Sequence, residues 1–277
     1  MPSGSNNGRS GKNTGAKSSK AIKAAKKSGT ARGLPKQRQV PWPLIGGAVA
    51  VLALIAVIAV NIVPKYQDQQ ELAAWTPSES NRDPSLAIDG VVTTDYPAGQ
   101  HVTETQRVAY DQSPPFGGPH DSIWATCTGT VYEQAVRTEN MVHSLEHGAV
   151  WIAYNPDLVD DAARDTLAAK VDGRTYMMMS PYPGLDTPIS LQSWGHQLKV
   201  DNADDKRIDH FIESLRLNQY TYPEVGASCS TIPASFDPAN PPPFDPSAPG
   251  AGAVPMDGGT VDGSEQFPAD MQAPAGS

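Results

Sequence analysis

The stretch TENMVHSLEHGAVWIAY, Thr138 to Tyr154, passes from helical to extended patterning within seventeen residues. Thr138 supplies an N-cap and Glu139 an acidic first turn, where the helix dipole favours negative charge. Gly148 stops the helix. AVWIAY, Ala149 to Tyr154, is a run short and apolar enough for a strand buried on both faces.

On a helix turning about 100° per residue, His143 and His147 lie one turn apart on one face with Glu146 beside them, while Met141 and Leu145 point the other way. The spacing therefore places the histidines off the core-facing stripe. Imidazoles at i and i+4 can reach one ion above that face, and His-x-x-Glu-His also matches the inverzincin pattern, in which the Glu is general base for a zinc-bound water. The other reading is a helix face that only packs and hydrogen-bonds. A metal site needs a third ligand. His120 is the first candidate, because it ends the irregular loop SPPFGGPH (113–120); His101 is the reserve. A zinc hydrolase using Glu146 needs a distal carboxylate, for which Glu213 is the candidate, and the early stop at Gly148 counts against its long helix.

Outward from this stretch, strands are expected at 86–94, 106–110 and 129–132 before it. After it come a helix from Asn155–Pro156 to Val171, a strand at 175–179, a longer strand at 189–200 broken at Gly195, and a helix opening at Asp204. In that last helix Ile208, Phe211, Ile212 and Leu215 recur at i, i+3, i+4 and i+7. The order describes an α+β fold, a small mixed sheet covered by helices. Met177, Met178 and Met179 offer thioethers that suit Cu(I), but alternation along a strand makes them core filler first. Trp124, Trp151, Trp194, His196 and His210 are read as structural.

Charge divides the rest of the 277-residue chain. Residues 1–40 hold ten Lys and Arg and no acidic residue, leaving 11 basic side chains against all 30 acidic ones beyond them, a net charge of −19 there. That arm is too poor in apolar residues to fold, and is expected to lie disordered against anionic headgroups rather than on nucleic acid, for which it lacks aromatic residues. LIGGAVAVLALIAVIAVNIV, Leu44 to Val63, has Asn61 as its only polar side chain. Twenty residues at about 1.5 Å each span roughly a 30 Å bilayer core. The expected layout is a cytoplasmic arm (1–40), a transmembrane signal-anchor (41–64), a juxtamembrane linker (65–85), an extracytoplasmic domain (86–229) and a disordered Pro/Gly-rich tail (230–277). The charge bias puts the amino terminus in the cytoplasm. Cys127 and Cys229, the only two cysteines, would then meet an oxidising compartment, where a bridge between them would tie an early loop to the end of the domain; two unpaired thiols are the other reading. No phosphate-binding glycine loop, serine-nucleophile motif or catalytic thiol setting is present, and no small-molecule substrate is implied.

The segments YDQSPPFGGPH (110–120), ENMVHSLEHGAVWIAY (139–154) and YMMMSPYPGLDTPISLQSWGHQL (176–198), with Trp124 and Cys127 between them, resemble the domain of unknown function 3105 family of actinobacterial single-pass membrane proteins. The resemblance implies the same layout, with His120, His143, Glu146 and His147 as its motif positions. Small His- and Met-rich secreted proteins associated with the family lean towards copper. Together these readings give a non-enzymatic outer domain that holds copper or zinc through His143, His147, His120 and Glu146, as a carrier or a partner of another envelope protein. A metal-free envelope scaffold and a zinc hydrolase are the alternatives.

Overall fold

In the computed structural model, which describes residues 40–232 and 234–258, the AVWIAY run becomes the strand around which the domain is layered. This is β6 (Val150–Tyr154), with all five residues buried. The six-stranded sheet also contains β1 (Val91–Thr93), β5 (Thr128–Val131), β7 (Met177–Pro181), β8 (Ile189–Ser193) and β9 (His196–Val200), in the order β1-β9-β8-β6-β7-β5. β5, β7 and β6 run parallel, and β8, β9 and β1 add antiparallel partners. The sheet is mixed because the connections differ. A helix, α4 (Asp161–Val171), carries the chain from β6 back to the parallel β7, whereas a two-residue turn joins β8 to β9, with Ser193 opposite His196.

That turn falls at the break expected at Gly195 and makes the 189–200 strand two antiparallel strands. Gly195 has φ +71°, and a Cβ there would sit 2.8 Å from the Thr94 carbonyl oxygen, so the chain reverses rather than bends. Two other boundaries move. The 155–171 helix begins only at Asp161, capped by the Asp160 carboxylate accepting from the Ala163 N–H at 2.8 Å, while Asn155 uses its side chain to hold the preceding turn. The 86–94 strand is a 3₁₀ turn (Pro84–Ala87) followed by β1.

Alternation along the buried strands loads both faces. Val150, Ile152, Met177, Met179, Leu191 and Leu198 pack under α4 and α5 (Lys206–Leu215), whose Ile208, Phe211, Ile212 and Leu215 are the four spaced apolar residues of the sequence. Trp151, Ala153 and Met178 face the other way, against Met141, Val142 and Leu145 of α3 (Thr138–Glu146) and the loops around Phe116 and Trp194. All three methionines are core.

The folded part reaches further than 86–229. Residues 234–258 pack back on the domain: Phe236 joins the α3-side core, and β10 (Val254–Pro255) pairs in parallel with β3 (Val108–Ala109). Apolar contacts at Phe236 and Val254 and main-chain pairing offset the loop entropy that a Pro/Gly-rich composition implies. Cys127 and Cys229 are disulfide-bonded. The chain divides into two units, 1–56 and 57–277. α1 (Trp42–Asn61) and α2 (Val63–Ala73) form a helical stretch long and apolar enough to cross a membrane, and no residue of α1 is buried. The basic arm up to residue 39 and the tail beyond 258 lie outside the described residues.

Candidate metal centre

Two short strands set one wall of the centre. β2 (His101–Val102) and β4 (His120–Asp121) pair in parallel with His101 directly opposite His120. Neighbouring residues in such a pair project to the same side. Gly118, at φ +95°, turns its carbonyl onto His120 Nδ1 at 2.8 Å.

α3 forms the other wall, and it is buried along its whole length. The amphipathic reading fails here because the polar face is covered by β4 and its flanking loops instead of by water. Arg137, the N-cap in place of the expected Thr138, makes no cap hydrogen bond of its own. Its guanidinium instead pairs with Asp121 and donates to the Gln106 carbonyl at 2.6 Å. Glu139 accepts from the Val108 N–H at 3.0 Å. These contacts dock α3 on β3 and β4. At the far end, the Gly148 N–H donates to the Leu145 carbonyl and the Ala149 N–H to the Ser144 carbonyl, a Schellman closure with Gly148 at φ +92°.

Between the walls, His101, His120, His143 and Glu146 bring one ligand atom each within 4.8 Å of the others. Ring centroids are 5.0 Å apart for His101 and His120, 4.7 Å for His120 and His143, and 5.1 Å for His101 and His143. His120 and Glu146 side chains are fully enclosed, with Nε2 and Oε2 2.8 Å apart yet without hydrogen-bond alignment. Two atoms about 2.0–2.2 Å from a common ion can approach this closely when they are adjacent ligands. Around the centre, three histidines donate Nδ1–H to backbone carbonyls: His120 to Gly118, His143 to Asp121 and His147 to Ser228. A carbonyl only accepts, so each neutral ring carries its lone pair on Nε2, the arrangement by which outer contacts orient metal-ligating imidazoles.

The electrostatics favour the neutral form at His143. Burial pushes the His143 pKa well down, and the neighbouring His120, His147 and His101 reinforce it. Burial also lowers His101, with His120 adding to it. For Glu146 burial acts upward, but the contact and charge of His120 and the Gly99 N–H, which donates to Oε1 at 2.7 Å, outweigh it and leave the carboxyl lowered. Neutral imidazoles and an ionised carboxylate are what a cation requires.

The expected residues are thus brought together with one exchange. His120, His143 and Glu146 converge, His101 joins them, and His147 turns to a second group with His143 and Glu224. Its Nε2 lies 3.1 Å from Glu224 Oε2. The i, i+4 spacing identified His143 and His147 as neighbours, 4.6 Å apart; only the β2–β4 pairing and the loop after α5 decide which partner each takes, and no local signal in the sequence marks Glu224. Glu213 lies on α5, across the sheet from α3, accepting from Thr76 Oγ1 at 2.8 Å. It supplies no distal carboxylate to the motif. His196 is held by Asp83 at 2.9 Å and His210 stacks on Trp75, both away from the centre. Trp124 covers His143 and His147, at 5.4 and 4.8 Å between centroids.

Fold and site together define a mixed-sheet α+β domain, following a long apolar helix in sequence, with a largely buried three-histidine, one-carboxylate cluster between a helix and a two-stranded ribbon. Residues 101–231 match the family model described as "Protein of unknown function (DUF3105)". The match begins at His101 and ends just past Cys229, enclosing the whole cluster and its covering loop. Neither a curated protein nor a solved structure matches the chain.

Proposed function

We propose that this domain binds a transition-metal ion, copper or zinc, through His101, His120, His143 and Glu146. In this reading it works without catalysis, as a membrane-anchored carrier or as an assembly partner of another envelope protein. The observation that carries the reading is the convergence of four ligand atoms within 4.8 Å. The Nδ1–H of His120 and His143 already goes to carbonyls, which supports it further. Imidazole and carboxylate donors suit Zn(II) and Cu(II), while the thioethers of Met177 to Met179, which would favour Cu(I), are spent in the core.

The anchor and its direction belong to the same proposal: the apolar helix spans the membrane, the basic arm stays in the cytoplasm, and the domain lies outside, where its disulfide persists. A membrane-impermeant protease added to intact spheroplasts digests the domain if this orientation is right and spares it if reversed. For the metal, the full chain is purified in detergent without an affinity tag and its elemental content measured. Copper or zinc near one ion per chain, lost in His120→Ala/His143→Ala, is the expected result; equal content in both proteins overturns it.

A metal-free scaffold is the second reading, favoured by one observation: the His120–Glu146 and His147–Glu224 pairs and the carbonyl contacts form a network that can stand without an ion. A folded wild-type chain that takes up neither metal would establish it. The hydrolase reading has least support, since Glu146, its general base, is enclosed and held by Gly99 and His120.

A further inference from the structure

Two ligand groups share one residue. His101, His120, His143 and Glu146 form the inner group, in which His101 is part-buried and the other three are buried; His143, His147 and Glu224 form another, in which the Glu224 side chain is 39% exposed while His147 is 3% exposed. With its Nδ1 bonded to the Asp121 carbonyl, His143 has a single lone pair, on Nε2, and can hold one ion at a time. The groups therefore cannot be filled together through it. They are also mechanically joined, because the Glu224 N–H donates to the Glu146 carbonyl at 3.2 Å.

We infer that Glu224, His147 and His143 form an entry relay that passes a metal ion from solvent to the inner group, with His143 handing it over. This rests on the metal-binding reading above. Glu224 meets the hydrated cation at the surface. His147, oriented by the Ser228 carbonyl at 2.8 Å, takes it inward, and rotation of the ion about His143 Nε2 exchanges His147 and Glu224 for His101, His120 and Glu146. No bond to hydrogen is broken and no electron moves: water and one ligand set are replaced by another. Trp124, packed on both His143 and His147, provides an optical reporter.

The test follows Cu(II), delivered as its weak glycine complex, into the full detergent-solubilised chain by stopped-flow quenching of tryptophan fluorescence, with bound copper counted at the end. Wild type, Glu224→Gln, Glu224→Asp and His147→Gln are compared, and melting curves establish that each is folded; Glu224 is exposed enough that its replacement leaves the core intact. The expected result is one copper per chain in all four, with uptake slowed at least about tenfold in Glu224→Gln and His147→Gln, the scale on which supporting residues act at metal sites, and largely restored in Glu224→Asp. Uptake at the wild-type rate in both slow-predicted variants overturns the relay and leaves the inner site standing. Two coppers in wild type and one in His147→Gln also overturns it, in favour of an independent second site. No copper in wild type overturns the relay, and where elemental analysis finds no zinc either, the metal-binding reading falls with it.

Discussion

His101 and His120 face each other across the parallel β2–β4 pair, their ring centroids 5.0 Å apart, although they lie nineteen positions apart in sequence. This pairing, rather than the i, i+4 helix spacing, completes the candidate centre. It follows that His101→Ala lowers metal affinity as strongly as His120→Ala does, by about a hundredfold or more, since each removes a direct ligand. His147→Ala lowers it far less. Competition titration of the full chain against a chelator of known affinity measures all three.

The metal-stripped chain carries a built-in acid sensitivity. Burial and neighbouring imidazoles hold the His143 pKa well below its ordinary 6.5, so below that pH the unfolded chain binds a proton that the folded chain refuses. Stability is fully present above about pH 6.5 and falls as the pH is lowered through the window beneath it. Lowered Glu146 adds a loss of the same sign below its ordinary 4.5. Melting temperatures of chelator-treated protein between pH 8 and pH 5 are expected to fall, and His143→Gln to flatten the slope over that range.

How far the sequence could be read depends on the range of the signals. α5 was legible, apart from its start at Lys206 rather than Asp204, because Ile208, Phe211, Ile212 and Leu215 keep helical spacing on an element with one buried face. The strand of AVWIAY was legible for a similar reason: burial on both faces leaves a continuous apolar run. α3 was legible as a helix with the right histidines, but its environment was not. Its His face looks solvent-directed by periodicity, and is buried because β4, placed there through Arg137 and Asp121, covers it. Glu224 gives no signal at all, since only tertiary packing brings it to His147.

The disulfide restrains the loop that carries this second group. Cys127 and Cys229 are 102 positions apart in sequence, and Cys229 follows Ser228, whose carbonyl orients His147. Cross-linking a loop of that length stabilises by roughly 4 to 5 kcal/mol in the chain-entropy account. Cys127→Ser/Cys229→Ser is therefore expected to melt well below wild type. Amide exchange should quicken first over residues 222–230, where hydrogen-exchange mass spectrometry resolves it.

Gly148 is where the end of α3, the cover of Tyr222 and the Glu224 loop meet. Its φ of +92° disfavours any residue with a Cβ, and a Cβ built there would lie 2.7 Å from the Tyr222 ring. The Gly148 carbonyl also accepts from the Leu217 N–H at 3.0 Å, fixing where the chain leaves α5. Gly148→Ala must strain the Schellman closure or push Tyr222 outward, costing about 1–3 kcal/mol. For a domain of this size that is a fall of roughly 3–10 °C in melting temperature. Because Tyr222 lies two residues before Glu224, its displacement should also lengthen the His147–Glu224 contact, so copper uptake slows while the final copper content stays the same. A wild-type melting temperature in Gly148→Ala would show that the turn tolerates a side chain and that Tyr222 does not seal it.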